Sequence, residues 1–155
     1  MFHIVLVEPE IPANTGNISR TCAITGTALH LIKPLGFSID DKHLKRAGLD
    51  YWHLLELHIY ENLDEFLAEH GDKRLFLATT KSAQHYDEVQ FQDGDFIVFG
   101  KETAGLPQRM HDLYPDMRIK IPMLDNEAAR SLNLSNSAAI ILYEALRQVG
   151  FLDLK

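Results

Sequence analysis

Cysteine is almost missing from this chain of 155 residues: Cys22 stands alone. An intramolecular disulfide is therefore excluded, and a reducing, cytoplasmic location is the expectation. No apolar run approaches the roughly 20 residues that cross a bilayer as a helix, so no membrane span is expected. The N-terminus, Met1-Phe-His-Ile-Val-Leu-Val-Glu8, lacks a basic flank; it reads as a first strand rather than a signal peptide. The eight histidines are scattered without an H-x-x-x-H pair, and with no second cysteine a metal site is not expected. An excess of positive charge is missing too: 15 Lys and Arg face 22 Asp and Glu, a net charge of −7. That balance argues against nucleic acid as a partner, until its distribution is considered. Residues 61–100 hold 9 acidic and 3 basic groups, whereas residues 101–155 hold 7 of each. An acidic protein of this kind still binds RNA locally, through few phosphate contacts and with a shallow salt dependence.

What is present is a regular alternation of strand-like and helix-like runs along one domain, residues 1–155. Strands are expected at His3–Glu8, Ala28–Lys33, Leu54–Tyr60, Arg74–Thr79, Asp95–Phe99 and Met117–Ile121. Between them lie helices: Asn14 to about Ile24 with Asn14 as cap, Asp40 to Gly48, Asn62–His70, and a short one from Pro107 to Leu113. The last helix, Ser135 to Val149, carries an apolar stripe of Ala138, Ile141, Leu142, Ala145, Leu146 and Val149, widened by Ile140 and Tyr143. That is more than one packing face needs, and a second subunit would cover the remainder. The pattern predicts an α/β fold, a mostly parallel sheet with helices on both faces. Ligands of such sheets sit at the carboxyl ends of strands.

Two loops follow strand ends and are rich in hydrogen-bonding side chains: Phe99-Gly-Lys-Glu-Thr-Ala-Gly-Leu-Pro107 and Arg130-Ser-Leu-Asn-Leu-Ser-Asn-Ser137. A third, Asn14-Thr-Gly-Asn-Ile-Ser-Arg20, adds a cation. A phosphate loop is excluded, because Gly94 is one residue too far from Gly100 and Glu102 stands where Ser or Thr is required. A glutamate there repels polyphosphate and suits a ligand with cationic and hydroxyl groups. S-adenosylmethionine fits, with its sulfonium, ammonium and ribose. A serine-hydrolase elbow, G-x-S-x-G, is absent. Each loop also has a plain structural reading. The Gly100–Gly105 loop alone is a turn, Arg20 alone a solvated helix residue, and Cys22 a buried apolar-like one. Ser135 or Asn136 caps the last helix, which leaves Ser131 and Asn133 over for a ligand or an RNA backbone.

Taken together, three segments resemble the SPOUT-class RNA methyltransferases. They are Glu8-Pro-Glu-Ile-Pro-Ala-Asn-Thr-Gly-Asn-Ile-Ser-Arg20, Phe99–Pro107, and Ile121-Pro-Met123 with Arg130–Asn136; the segment from Pro34-Leu-Gly-Phe37 through Leu49-Asp-Tyr51 matches as well. The resemblance is to the bacterial branch that methylates the ribose 2′-oxygen of the tRNA wobble nucleotide, C34 or U34 of tRNA-Leu type substrates. It implies a C-terminal trefoil knot, an exception to the rule against knotted chains. It also implies a homodimer and S-adenosylmethionine held by Ala78, Thr79, Gly100, Glu102, Gly105, Ile121, Met123, Ser131 and Leu132. Arg20 would reach into the partner's site, and Asn133 and Ser135 would position the ribose. An anticodon stem-loop would meet Asn14, Arg20, Lys42, Lys45, Arg46 and Arg130. The chain departs from the family at Ala104, where many relatives carry arginine, and at Glu127-Ala-Ala129, a slightly longer approach to Arg130. Alternatives are 2′-O-methylation at another tRNA or ribosomal RNA site, a non-catalytic RNA-binding module of the same fold, and a structural dimer without RNA. Base-nitrogen methylation is disfavoured, because Ser131–Ser137 holds no carboxylate.

Overall fold

The computed structural model describes residues 1–42, 44, 46 and 49–155, without the side chains of Leu49 and Asp50. Six strands form one parallel sheet: β1 (His3–Val7), β2 (Ala28–Ile32), β3 (Leu57–Tyr60), β4 (Leu75–Ala78), β5 (Phe96–Phe99) and β6 (Arg118–Ile119). Their spatial order is β3-β2-β1-β5-β4-β6, with His3 opposite Ala28 on one side and Phe96 on the other. Among the described residues, the sheet is flanked by α1 (Pro12–Thr25), α2 (Leu63–His70), α3 (Gln108–Leu113) and α4 (Leu134–Gln148).

Strand alternation splits the core into two layers. Ile4, Leu6, Leu29, Leu31 and Ile97 point to α1 and α4, meeting Ile18, Cys22, Ile141, Leu142 and Ala145. Val5, Val7, Ile32, Leu75 and Val98 point the other way, meeting Phe66 of α2 and Met110 of α3. Strands buried on both faces read as continuous apolar runs, as parallel sheets require. Burial pushes the Cys22 thiol pKa up, so Cys22 is a core residue.

Several boundaries differ from the sequence expectation, each for a physical reason. Asn14 does not cap α1: the helix starts at Pro12, with Ile11 as the capping residue and Gly26 in the left-handed conformation closing it. The run Leu54–Tyr60 is only half strand, because Leu49–Leu54 winds into a 3₁₀ segment. Pro107 precedes α3 rather than opening it. β6 stops at Ile119, after which Lys120 pairs with His85 and Pro122 offers no N–H. α4 is capped by Asn133, not by Ser135 or Asn136. The expected helix Asp40–Gly48 falls partly outside the described residues, as does Lys45.

Four of the histidines that look scattered in sequence gather on the α2 face of the sheet. His3 Nδ1 lies 3.0 Å from His30 Nε2, His30 Nδ1 2.9 Å from the Tyr60 hydroxyl, and that hydroxyl 3.0 Å from His70 Nε2. His58 stacks on His30 and Phe96 on His3. Burial drives the imidazole pKa values down, to about 4 for His3 and about 3 for His30, with His70 lowered as well.

Candidate active site

In the order β3-β2-β1-β5-β4-β6, the chain winds outward in both directions from β1 and β5. Their carboxyl ends are the place where an open α/β sheet parts to admit a ligand. The loops after β1, β4, β5 and β6 converge there, joined by the segment before α4, around a cavity of about 560 Å³. That volume lies within the range of roughly 300–1,000 Å³ common to small-molecule sites.

The loop after β5 is tied back on itself. Gly105 donates to the Lys101 carbonyl at 2.9 Å and holds a positive φ of 71°. A Cβ on Gly100 would stand 2.0 Å from the Gly105 carbonyl carbon and 2.2 Å from the Leu106 nitrogen. Both atoms are backbone and cannot step aside, so only glycine closes this loop.

Glu102 ties that loop to the loop after β1. Its carboxylate accepts hydrogen bonds from the Glu10 N–H (2.8 Å), the Ile11 N–H (3.1 Å) and the Asn14 amide (3.4 Å). The negative charge thus sits at the N-terminus of α1, where the helix dipole favours it and free N–H groups need acceptors. Glu10 reciprocates, accepting from the Thr103 N–H (3.1 Å) and hydroxyl (2.6 Å), which hold its carboxyl below the usual carboxylate range. Lys101 approaches Glu8 at 3.9 Å.

A third tie runs to α4. The Asn133 amide donates to Asn14 Oδ1 at 3.1 Å, while its own Oδ1 accepts from the N–H groups of Ser135 and Asn136 and from the Ser135 hydroxyl. Asn133 was expected to be left over for a ligand; it is in fact both the cap of α4 and a link to α1. One side chain serves both because an amide accepts at one end and donates at the other.

All nine residues expected around a cofactor line this cavity: Ala78, Thr79, Gly100, Glu102, Gly105, Ile121, Met123, Ser131 and Leu132. So do Asn14, Asn133 and Arg130, whose Nε donates to the Glu127 carbonyl. Ser135 is not part of the lining. Arg20 is exposed on α1 and lies outside the lining of its own chain's cavity; Lys42 and Arg46 are exposed elsewhere. His111 escaped the sequence reading. It is buried in the cavity wall with Nδ1 unpartnered, and burial, helped by Lys81 and Arg118, lowers its pKa. Nothing in the sequence separates it from the other seven histidines.

The arrangement suits a ligand with a flat apolar part and a polar tail. Leu106, Ile119, Ile121, Leu134 and Ile141 supply an apolar slot, and Lys81, Lys101, Glu102 and Ser131 a polar margin. Among the described residues, one group brings metal-ligand atoms within 4.8 Å of one another: His85, Asp87 and Glu88, on the surface outside the cavity lining.

Known proteins are similar to this chain in sequence and in architecture. A tRNA (cytidine(34)-2′-O)-methyltransferase of Methylovorus glucosotrophus is 54% identical over 152 residues, covering 97% of either chain. A structure solved in work on the 2-OH methylation of C/U34 on tRNA superposes with a TM-score of 0.88 at 42% identity, covering 96% of each chain. The AviRb methyltransferase of Streptomyces viridochromogenes, solved in complex with the cofactor AdoMet, gives 0.83 at 25% identity over 95% of this chain and 60% of its own. The sequence profile of the SpoU rRNA Methylase family matches residues 1–143. With four loops converging beyond a parallel sheet and that match over most of its length, the chain belongs to the SpoU methylase family.

Proposed function

We propose that the protein transfers the methyl group of S-adenosylmethionine to the ribose 2′-oxygen of the wobble nucleotide, C34 or U34, of tRNA. The observation that carries this reading is the convergence of all nine expected cofactor residues, drawn from three separate connections, on one cavity. The relatives' names supply the nucleotide, and the AviRb complex supplies the cofactor.

The residues present fit that cofactor. The apolar slot accepts an adenine, Gly100 and Gly105 let backbone approach closely, and the margin around Glu102 and Ser131 offers partners to ribose and ammonium groups. When bound, the cofactor supplies a sulfonium-activated methyl group. What the chain itself must add is alignment of the 2′-oxygen, which accounts for a large share of such rate enhancements, and stabilisation of the negative charge growing on that oxygen. Asn133, held by Asn14, and Ser135 position the ribose. Arg20 offsets the oxyanion or the adjacent phosphate; a guanidinium stays protonated and is not a base. A substrate phosphate or water takes the proton.

Arg20 would serve the partner's cavity in a homodimer. It lies outside its own cavity, and Ile24, one turn further on the same face of α1, is 52% exposed. Ile140 and Tyr143 of α4, which packs against α1, are exposed as well. A two-fold contact along α1 and α4 would cover these side chains and carry Arg20 across. The family's trefoil knot and the tRNA-Leu preference belong to the same reading. So does the anticodon stem-loop contact through Asn14, Lys42, Arg46 and Arg130, with Lys45 beside them in sequence. A cytoplasmic location agrees with the substrate.

The test is incubation with labelled S-adenosylmethionine and total tRNA, followed by nucleoside analysis. Label in 2′-O-methylcytidine or 2′-O-methyluridine at position 34 is expected; label in a base, or none, overturns the reading. Arg20→Ala is expected to lower the methyl-transfer rate by about 100-fold or more while leaving cofactor affinity near wild type. Parallel loss of rate and affinity would contradict the role given to Arg20.

A further inference from the structure

Arg20 is exposed, yet its side chain is not loose. Its Nη2 donates to the Tyr51 hydroxyl at 3.2 Å, and its Cζ stands 4.7 Å from the centre of the Tyr51 ring. Tyr51 is half-buried in the 3₁₀ segment Leu49–Leu54, which packs against α1. An arginine carries about 2 kcal/mol of rotamer entropy, and a fixed aromatic face with a hydroxyl at its edge removes much of that freedom before substrate arrives.

The chemistry of the partner matters as much as its position. Among the described residues, no carboxylate is paired with Arg20. A carboxylate would orient the guanidinium equally well, but it would also neutralise the charge that a developing oxyanion needs. A neutral phenol orients without neutralising. It also occupies one of five N–H donors, so four remain for a phosphate or a 2′-oxygen.

We propose that Tyr51 is the positioning residue for Arg20, holding the guanidinium in a charged, directed conformation for the methyl-transfer step. The proposal rests on the role given to Arg20 above. It distinguishes the two contacts: the ring face supplies the platform, and the hydroxyl sets the rotation of the guanidinium about its own plane.

The experiment is a double-mutant cycle read by single-turnover methyl transfer to tRNA, with cofactor affinity and melting temperature measured in parallel. Tyr51→Phe, which keeps the platform, is expected to lower the transfer rate by about 3- to 10-fold, the worth of one solvent-accessible hydrogen bond of ordinary strength. Tyr51→Leu, which loses both contacts, is expected to lower it further, with cofactor affinity within about twofold of wild type, since Tyr51 does not line the cavity, and with KM for tRNA changed less than the transfer rate. In the Arg20→Ala background, Tyr51→Leu is expected to cost nothing more. Nuclear magnetic resonance of the Arg20 Nε–H in the cofactor-free protein is expected to show increased side-chain motion in Tyr51→Leu.

Full activity of Tyr51→Leu beside an inactive Arg20→Ala would overturn this proposal alone. The same factor lost in both backgrounds would overturn it too, because Tyr51 would then act without Arg20. A fully active Arg20→Ala would instead remove the role of Arg20, and this proposal with it. Should Tyr51→Leu fail to fold, Tyr51→Phe carries the cycle.

Discussion

Two networks of polar side chains cross this sheet, and they are built on opposite terms. Beneath α2, His3, His30, Tyr60 and His70 are joined by short hydrogen bonds among the rings of Phe66 and Phe96. Across the carboxyl-end loops, Glu10, Asn14, Glu102, Thr103 and Asn133 are joined just as continuously, but around an open cavity. The first network is turned inward: burial lowers the pKa values of His3, His30 and His70, and their hydrogen bonds run to one another and to Tyr60. In the second, each carboxylate is met by N–H groups rather than by apolar walls, and Thr103 holds the Glu10 carboxyl below the usual range. The difference shows how one sheet supports both an inward-turned cluster and a site. What changes is whether the polar groups satisfy one another inside the core or at its edge, where a ligand can join them.

The largest expected effect falls on the open network. Gly100→Ala forces a methyl group into the backbone of Gly105 and Leu106, and should cost about 3 kcal/mol of stability by the scale of overpacking. Cofactor binding, followed by calorimetry, should be lost with it; a variant that binds normally would mean the loop is not set by this contact. Next comes Glu102→Ala, which leaves the Glu10 and Ile11 N–H groups and the Asn14 amide without their shared acceptor. Hydrogen bonds to a charged group are worth about 1.5–3 kcal/mol, so chemical denaturation should show a loss of about 2 kcal/mol, together with weaker cofactor binding. Unchanged stability would show that water replaces the carboxylate at no cost, and the two networks would then differ less than the geometry says.

The smallest effect belongs to the inward-turned network and depends on pH. Histidines with lowered folded-state pKa values bind fewer protons than the unfolded chain does. Their contribution is therefore intact above the ordinary histidine pKa of about 6.5 and is lost as pH falls toward about 4. Each such histidine adds a slope of up to about 1.4 kcal/mol per pH unit in that window. Nearby Glu56 and Glu69 act the other way, raising the pKa values of His3 and His70 respectively. Melting temperatures between pH 7.5 and 5 should fall, and His30→Phe should flatten the profile; an unaltered slope would remove His30 from the account.

The strand positions, the parallel class and the three loops were legible because each has a local signature. Apolar runs marked the strands, Gly26 and Asn62 punctuated the helices, and Gly100–Gly105 departed from core composition. The caps were less legible. Asn14 looked like the cap of α1, yet the acceptor for the first amides comes from Glu102, 88 residues beyond Asn14. Asn133 looked free because Ser135 and Asn136 seemed sufficient. The histidine cluster was invisible, since His3, His30, His58 and His70 sit on four separate elements with no common spacing. The same holds for His111 in the cavity wall and for Tyr51 beside Arg20.

By itself, the order of apolar runs and breakers determined a parallel α/β sheet, because periodicity and turn chemistry act over a few residues. Three segments of this chain, by their order and spacing, also resembled a methyltransferase family without any coordinates. Only the tertiary structure decided which polar groups meet. Those partners are dozens of residues apart, and only sheet order and helix docking bring them within the 3 Å at which a hydrogen bond forms.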